Sequence, residues 1–277
     1  MNIEARLRQW WSGHLGRRLV GELFLIGAVF VIYRQIRFLS RNDTDAAMAN
    51  ADRVVALEQR LHVFTERGLQ RLVMHSDLVV TFLNRYYVFV HFSLTTAFLV
   101  WVYWRHHDQY RRTRNWFVSV TLAALVVHIA YPLAPPRMLR ETGFVDTLQR
   151  FGPRIYSADT SQSIANQFAA MPSLHFGWAV MVAGAYIGIR RSRRSLLALA
   201  HPAITLLAIV ATANHYWIDA AVALVLVAVA AAAIHLHPAR FVTAAGSAVG
   251  NAVRGAVRGG PVQPEVIVRM NSSATSR

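Results

Sequence analysis

The chain contains no cysteine and no lysine. Without cysteine it has neither disulfides nor thiolate metal sites, and its redox compartment stays open. Without lysine, all 29 basic residues are arginine, set against 14 acidic residues for a formal charge of +15. No compact basic domain and no nucleic-acid-binding motif accompanies that charge, so a nucleic-acid partner is not expected. The arginines instead flank apolar runs, where they meet lipid headgroups. Those runs are what the chain has most of: 55% of its 277 residues are apolar and the mean hydropathy is +0.31. Such long apolar segments exclude a soluble domain. No internal repeat is visible.

Residues 1–18 form a basic cytoplasmic segment with Arg6, Arg8, Arg17 and Arg18, and with Trp10 and Trp11 suited to an interface. Residues 19–32 are the first apolar run, and Arg34, Arg37 and Arg41 behind it favour an uncleaved helix over a signal peptide. Residues 40–77 do not span. Val54, Leu57, Leu61 and Phe64 recur there at spacings of three and four, which predicts an amphipathic helix with Gly68 as a break or bend. It is expected on the membrane surface or packed over the bundle, with a lid as the functional alternative. Five more spans follow at 78–104, 116–133, 173–189, 196–213 and 216–236. Asn84 and Arg85 interrupt the first of these, and Pro135-Pro136 stop the helix before Arg137. Residues 138–170 make a long polar loop, a length that is often functional. The expected fold is all-α: a polytopic membrane protein, a six-transmembrane-helix bundle with an additional amphipathic helix. Its catalytic domain covers 19–236, with an extracytoplasmic amphipathic segment at 40–77 and an active-site loop at 134–173. Residues 237–277 are expected to be a flexible cytoplasmic tail.

Six spans put both termini on one side. That side would carry seventeen arginines, in 1–18, 105–114, 190–194 and the tail, against Glu4, Asp108 and Glu265. Positive charge stays in the cytoplasm, so the termini are expected there, in a plasma or inner membrane. Arg137, His175 and His215 then converge on the outer face.

Two stretches carry the chemistry: Met171-Pro172-Ser173-Leu174-His175, and forty residues on, His215-Tyr216-Trp217-Ile218-Asp219. Pro172 suits the first turn of a helix, where its missing N–H costs nothing. Ser173 and the amides around His175 would then face outward as an anion site. Spacing of four puts His215 and Asp219 on one helical face, close enough for the carboxylate to orient the imidazole. Two histidines beside an anion-binding helix start suggest acid/base or nucleophilic work on a phosphate.

These two stretches resemble the second and third motifs of the type 2 phosphatidic acid phosphatase superfamily. More narrowly they resemble its inositol phosphorylceramide synthase-like branch, over roughly residues 50–235. The resemblance implies an integral membrane enzyme of phosphoryl transfer on a lipid phosphate or diphosphate, without cofactor or metal. It implies His215 as nucleophile, Asp219 as the group that holds its tautomer, His175 as acid and then base, and a phosphohistidine intermediate. Arg137, Ser173, Arg140 and Arg154 are candidate phosphate ligands. Tyr131, His128, Arg85, Asn84, His91 and Asn214 are candidate substrate-lining residues. Water as acceptor gives a phosphatase, and an inositol or sugar hydroxyl gives a phosphotransferase. The partners implied are the lipid substrate and membrane lipids.

Alternatives stand beside this. By residue type, His175, His215 and Asp219 suit a divalent metal. Histidines at helix ends also serve simply as headgroup contacts, and Arg137 as an interfacial anchor. A transporter or flippase component would show an inverted repeat with broken helices. A non-catalytic scaffold would not need an intact His175, His215 and Asp219. The chain also departs from the superfamily pattern. No lysine precedes Arg137, which follows prolines instead of preceding one, and Ile209 stands where an arginine is usual before the third-motif histidine.

Overall fold

In a computed structural model of the protein, residues 44–153 and 168–236 are described, together with Val20, Gly21, Glu22, Phe24, Gly27 and Val31. The expectations for 1–18, for most of the first apolar run, for Arg154 and for the 237–277 tail lie outside the described residues. What is described is helical apart from loops and one isolated bridge between Leu133 and Ala169.

The amphipathic segment is two helices, α1 (Thr44–Arg60) and α2 (Glu66–Val73). The break therefore falls at residues 61–65, and Gly68 lies inside α2 instead of ending a helix. The predicted apolar face is also displaced. Ala47, Ala51, Val54 and Val55 are buried, whereas Leu57 is 46% and Leu61 58% exposed. The three-and-four spacing runs across the break, and Leu61 and Phe64 belong to the connection, not to the helix. The buried face packs on Leu133, Ala134, Leu139 and Tyr216, so the pair of helices covers one end of the bundle.

α3 runs unbroken over Asp77–Arg105, started by Ser76, whose side chain accepts from the Val79 amide. Asn84 and Arg85 do not interrupt it. Instead, residues Tyr86–Val90 form a π turn. The wider turn accommodates an extra residue, and the neighbours Tyr86 and Tyr87 are both buried. α4 is His107–Ala130. The part of the following loop that is described, up to residue 153, has more structure than its polar composition suggests. Short 3-10 turns at Pro136–Met138 and Arg140–Thr142 lead to α5 (Thr147–Phe151), capped by Asp146. Phe144 and Leu148 in this loop are buried.

α6 is Leu174–Arg190. A 3-10 stretch, Arg193–Leu199, feeds α7 (Ala200–Ala211), and α8 is Trp217–Leu236. α6 packs against α4, α7 and α8. Phe98, Val102, Phe117, Val120, Met181, Val182 and Val227 form the core at that level. Among the described residues, four helical units are long and apolar enough to cross a membrane: Asp77–Arg105, His107–Ala130, Arg193–Ala211 and Trp217–Ile234. The protein is thus an all-helical membrane protein.

Candidate active site

The site is assembled where the ends of α4 and α7 and the starts of α6 and α8 meet, beneath α1 and α2. Pro172 is not in the first turn of α6 as expected. Ser173 is the N-cap, and its side chain accepts from the Phe176 amide. Pro172 therefore sits one residue ahead of the cap. The cap is fixed from a second side, because the Ser173 amide donates to the Asp219 carbonyl at 3.1 Å. Ser173 is fully buried, so its hydroxyl closes the helix start. His175 follows within the first turn.

His215 is likewise not on a helix. α8 begins at Trp217, which makes Tyr216 the cap and Asp219 the third helical residue. An acid at that place reaches back to the cap amide, and Asp219 Oδ2 accepts from the Tyr216 amide at 2.9 Å. The same oxygen lies 3.2 Å from His215 Nδ1, and the Ala170 carbonyl lies 2.8 Å from that nitrogen. Two acceptors facing one ring nitrogen require the proton to sit on it. The lone pair of His215 is thereby placed on Nε2. Asp219 is fully buried. The four-residue spacing thus brings the two together through a cap and not through a shared helical face.

The turn that presents His215 is strained. Ala213 has a positive φ of 56°, a region that non-glycine residues seldom enter. Both the Asn214 and His215 amides donate to the Ile209 carbonyl at 3.0 Å. Ile209, where the family pattern places an arginine, contributes its main chain and a buried side chain.

Arg137 is drawn to this turn. Its amide donates to the Ala213 carbonyl at 2.9 Å, and its Nη1 donates to Asn214 Oδ1 at 2.9 Å. Its Nε lies 3.6 Å from Asp146 Oδ2. Asn214 is oriented in turn by a hydrogen bond to Thr212 Oγ1. His175 stands across from His215 with ring centroids 6.2 Å apart. Tyr87 stacks on it at 4.2 Å, and Phe92 and His91 approach at 5.1 and 5.0 Å.

The structure thus gathers His175, His215, Asp219, Arg137, Ser173 and Asn214, with His91 behind His175. His128 points its Nε2 at the Pro172 carbonyl, 3.3 Å away. Tyr131 caps α4 and reaches the Asn50 carbonyl with its hydroxyl. Asn84 is buried, and its amide nitrogen donates to the Thr147 and Gly152 carbonyls at 2.8 and 2.9 Å. It thereby ties α3 to α5. Arg85 is exposed. Arg140 opens its 3-10 turn, and Arg154 lies outside the described residues. Among the described residues no group of three His, Asp or Glu side chains is placed so that it could hold a metal ion, so His175, His215 and Asp219 do not form a ligand set.

A family model described as the PAP2 superfamily matches residues 52–233. The chain belongs to the PAP2 superfamily. No curated protein and no solved structure matches it. PAP2 membership points to phosphoryl transfer on lipid phosphates, and both motif histidines of this PAP2 chain lie in the matched region.

Several site groups were not found from the sequence. The Ala170 carbonyl is main chain and leaves no residue signature. Glu58 and Glu66 reach the start of α8 from α1 and α2. In the sequence they look like the polar side of an amphipathic helix. The one available signal was that Glu58 follows Val54 and Val55 at helical spacing.

Proposed function

We propose that this PAP2 protein transfers a phosphoryl group from a lipid phosphate or diphosphate through a phosphohistidine on His215. The observation that carries the reading is the pair of acceptors at His215 Nδ1, the Ala170 carbonyl at 2.8 Å and Asp219 Oδ2 at 3.2 Å. They leave Nε2 with its lone pair available for phosphorus. In the first step Nε2 bonds to phosphorus, the bond to the leaving oxygen breaks, and His175 gives that oxygen its proton. In the second step an acceptor hydroxyl attacks phosphorus, the P–N bond breaks, and the acceptor's proton passes to His175. Arg137 balances charge on the phosphoryl oxygens, with Arg140, Arg154 and the α6 start as further ligands. Asp219 stabilises the charge that His215 acquires.

The finer reading is an inositolphosphotransferase-like enzyme with a sugar or inositol hydroxyl as acceptor, with water giving the phosphatase reaction. The proline-rich stretch before Arg137 supports that branch. In this reading the chain has six spans, the 19–32 run and α6 being the other two, with the termini in the cytoplasm and the site on the outer face. The arginine distribution supports this orientation. The test is a panel of lipid phosphates and diphosphates presented to the purified protein in vesicles, with and without inositol or sugars. Release of phosphate or of a phosphorylated acceptor from one lipid, lost in His215→Ala, is expected. Transport of lipid without phosphoryl transfer would overturn the reading.

A further inference from the structure

Three consecutive amides at the start of α8 donate to three different carboxyl groups. Tyr216 N–H goes to Asp219 Oδ2 at 2.9 Å, Trp217 N–H to Glu66 Oε1 at 3.4 Å, and Ile218 N–H to Glu58 Oε1 at 2.9 Å. A helix start leaves such donors without intrahelical partners. Here they are met from three helices, since Glu58 comes from α1 and Glu66 from α2. All three acids have zero exposure.

Three carboxylates at this spot would be out of balance. A helix start supplies about half a positive charge. The ion pairs seen among the described residues are Arg114–Glu22, Arg137–Asp146 and His215–Asp219, and none brings a cation to Glu58 or Glu66. Two carboxyl groups sharing a site do not both ionise. The hydrogen-bond pattern agrees. The carboxyl groups of Glu58 and Glu66 are hydrogen-bonding neighbours, and Oε2 of each is buried without a donor. A proton shared within the pair supplies the donor that the two groups lack. Burial, followed by the contact with Glu66, pushes the Glu58 carboxyl up to about 9. The proton therefore stays in place at neutral pH.

We propose that Glu58 and Glu66 are positioning residues: a carboxyl pair sharing one proton that clasps the first turn of α8 and through it holds Asp219 and His215 in the reacting arrangement. This rests on the reading of His215 and Asp219 as the reacting pair. The clasp also docks the amphipathic segment over the site, and Trp217 Nε1 adds a bond to Thr65 Oγ1 at 3.0 Å. Loss of the shared proton puts a second buried negative charge beside Asp219, and repulsion loosens α1 and α2 from α8. The other titratable groups facing the pair are Asp219, with His215 beyond it, and Tyr216, which Asp52 on α1 also influences. Burial and the surrounding carboxylates raise the Tyr216 hydroxyl, so it stays neutral.

The test uses the absence of cysteine. Spin labels on Leu57→Cys in α1 and Val225→Cys in α8, both exposed positions, report docking in the full-length protein in vesicles. The distance is measured from about pH 7 to about pH 10, together with the rate of transfer from the lipid phosphate found active. In the otherwise unchanged chain, a narrow distance distribution should broaden above about pH 9 and the rate should fall at least ~10-fold. Glu58→Gln keeps a carbonyl for Ile218 and an N–H for Glu66, so it should keep the narrow distance and the rate to about pH 10. Glu58→Ala should be broad already near pH 7. An unchanged distance across the range, or Glu58→Gln as pH-sensitive as its parent, would overturn the clasp. A Glu58→Ala protein with broadened distance but an undiminished rate of phosphoenzyme formation would overturn the positioning role. The labels report the clasp whatever residue carries phosphorus, so a failure of the His215 reading is seen separately.

Discussion

The ring of Tyr87 lies on the imidazole of His175, with centroids 4.2 Å apart and planes 25° from parallel. Phe92 closes a second side edge-on at 5.1 Å. A proton donor needs its charge at working pH, and an aromatic face favours a cation lying on it by about 0.5–2 kcal/mol. Tyr87 is thus expected to support His175 as acid. Tyr87→Phe keeps the face and should stay within about 3-fold of the parent rate. Tyr87→Leu should slow lipid phosphates, whose leaving oxygens need protonation, by ~10-fold, and slow a nitrophenyl phosphate much less. Steady-state rates on both substrate types check this. Equal losses on both would separate Tyr87 from proton delivery.

Asp219→Asn should reduce turnover by about 10³–10⁴-fold while leaving the protein folded. The amide offers a donor where His215 Nδ1 needs an acceptor, which favours the wrong imidazole tautomer. The Ala170 carbonyl remains as a second acceptor, so the loss should be smaller than for His215→Ala. Single-turnover rates with thermal melts as a folding control measure it.

Arg137 is held by Asn214 and by its own amide against the Ala213 carbonyl. Arg137→Ala should lower kcat/KM by about 10²–10³-fold, the scale of one removed charge stabiliser. Asn214→Ala should cost about 10-fold, since it frees the guanidinium from its set position without removing it. Vanadate inhibition should weaken in the same order. An Asn214→Ala loss as large as that of Arg137→Ala would assign Asn214 a direct role on substrate.

Much of this was legible in the sequence, for identifiable reasons. His175, His215 and Asp219 announce themselves because polar residues at the ends of long apolar runs are costly unless used. Arg137 was legible from the paired prolines that end the run before it. What was not legible comes from main chain and from packing. The π turn that buries Tyr86 and Tyr87 side by side has no composition signature. Leu61 fits an apolar face that the break after Arg60 takes away, and Leu57 lies within α1 but on its exposed side. Glu58 and Glu66 carry no sequence signal of their role because the amides they serve lie about 150 residues further on, at Trp217 and Ile218. Asn84 read as an interruption in α3, yet its three bonds to Thr147 and Gly152 anchor the loop that carries Arg137 and Asp146.

Stability should depend on pH through Glu58. Its carboxyl moves from an ordinary 4.5 up to about 9 in the folded protein, through burial and then through Glu66. Between those values the folded state binds a proton that the unfolded state does not, so stability falls as pH rises. The contribution is complete below the unfolded value and is lost as pH passes through about 9. Thermal melts from about pH 5 to about pH 10 should show Tm declining in the parent and declining less in Glu58→Gln. A parallel decline in both would place the proton elsewhere.

The central claim is that phosphorus passes through His215 Nε2. It is tested most directly by acid quenching after mixing with phosphorus-labelled lipid substrate, followed by mapping of the labelled peptide. The account predicts an acid-labile, alkali-stable phosphate on His215. It should be absent from His215→Ala, and in His175→Ala it should form slowly and then persist. Label on His175 or Ser173, or turnover with no labelled enzyme at any time, would contradict it.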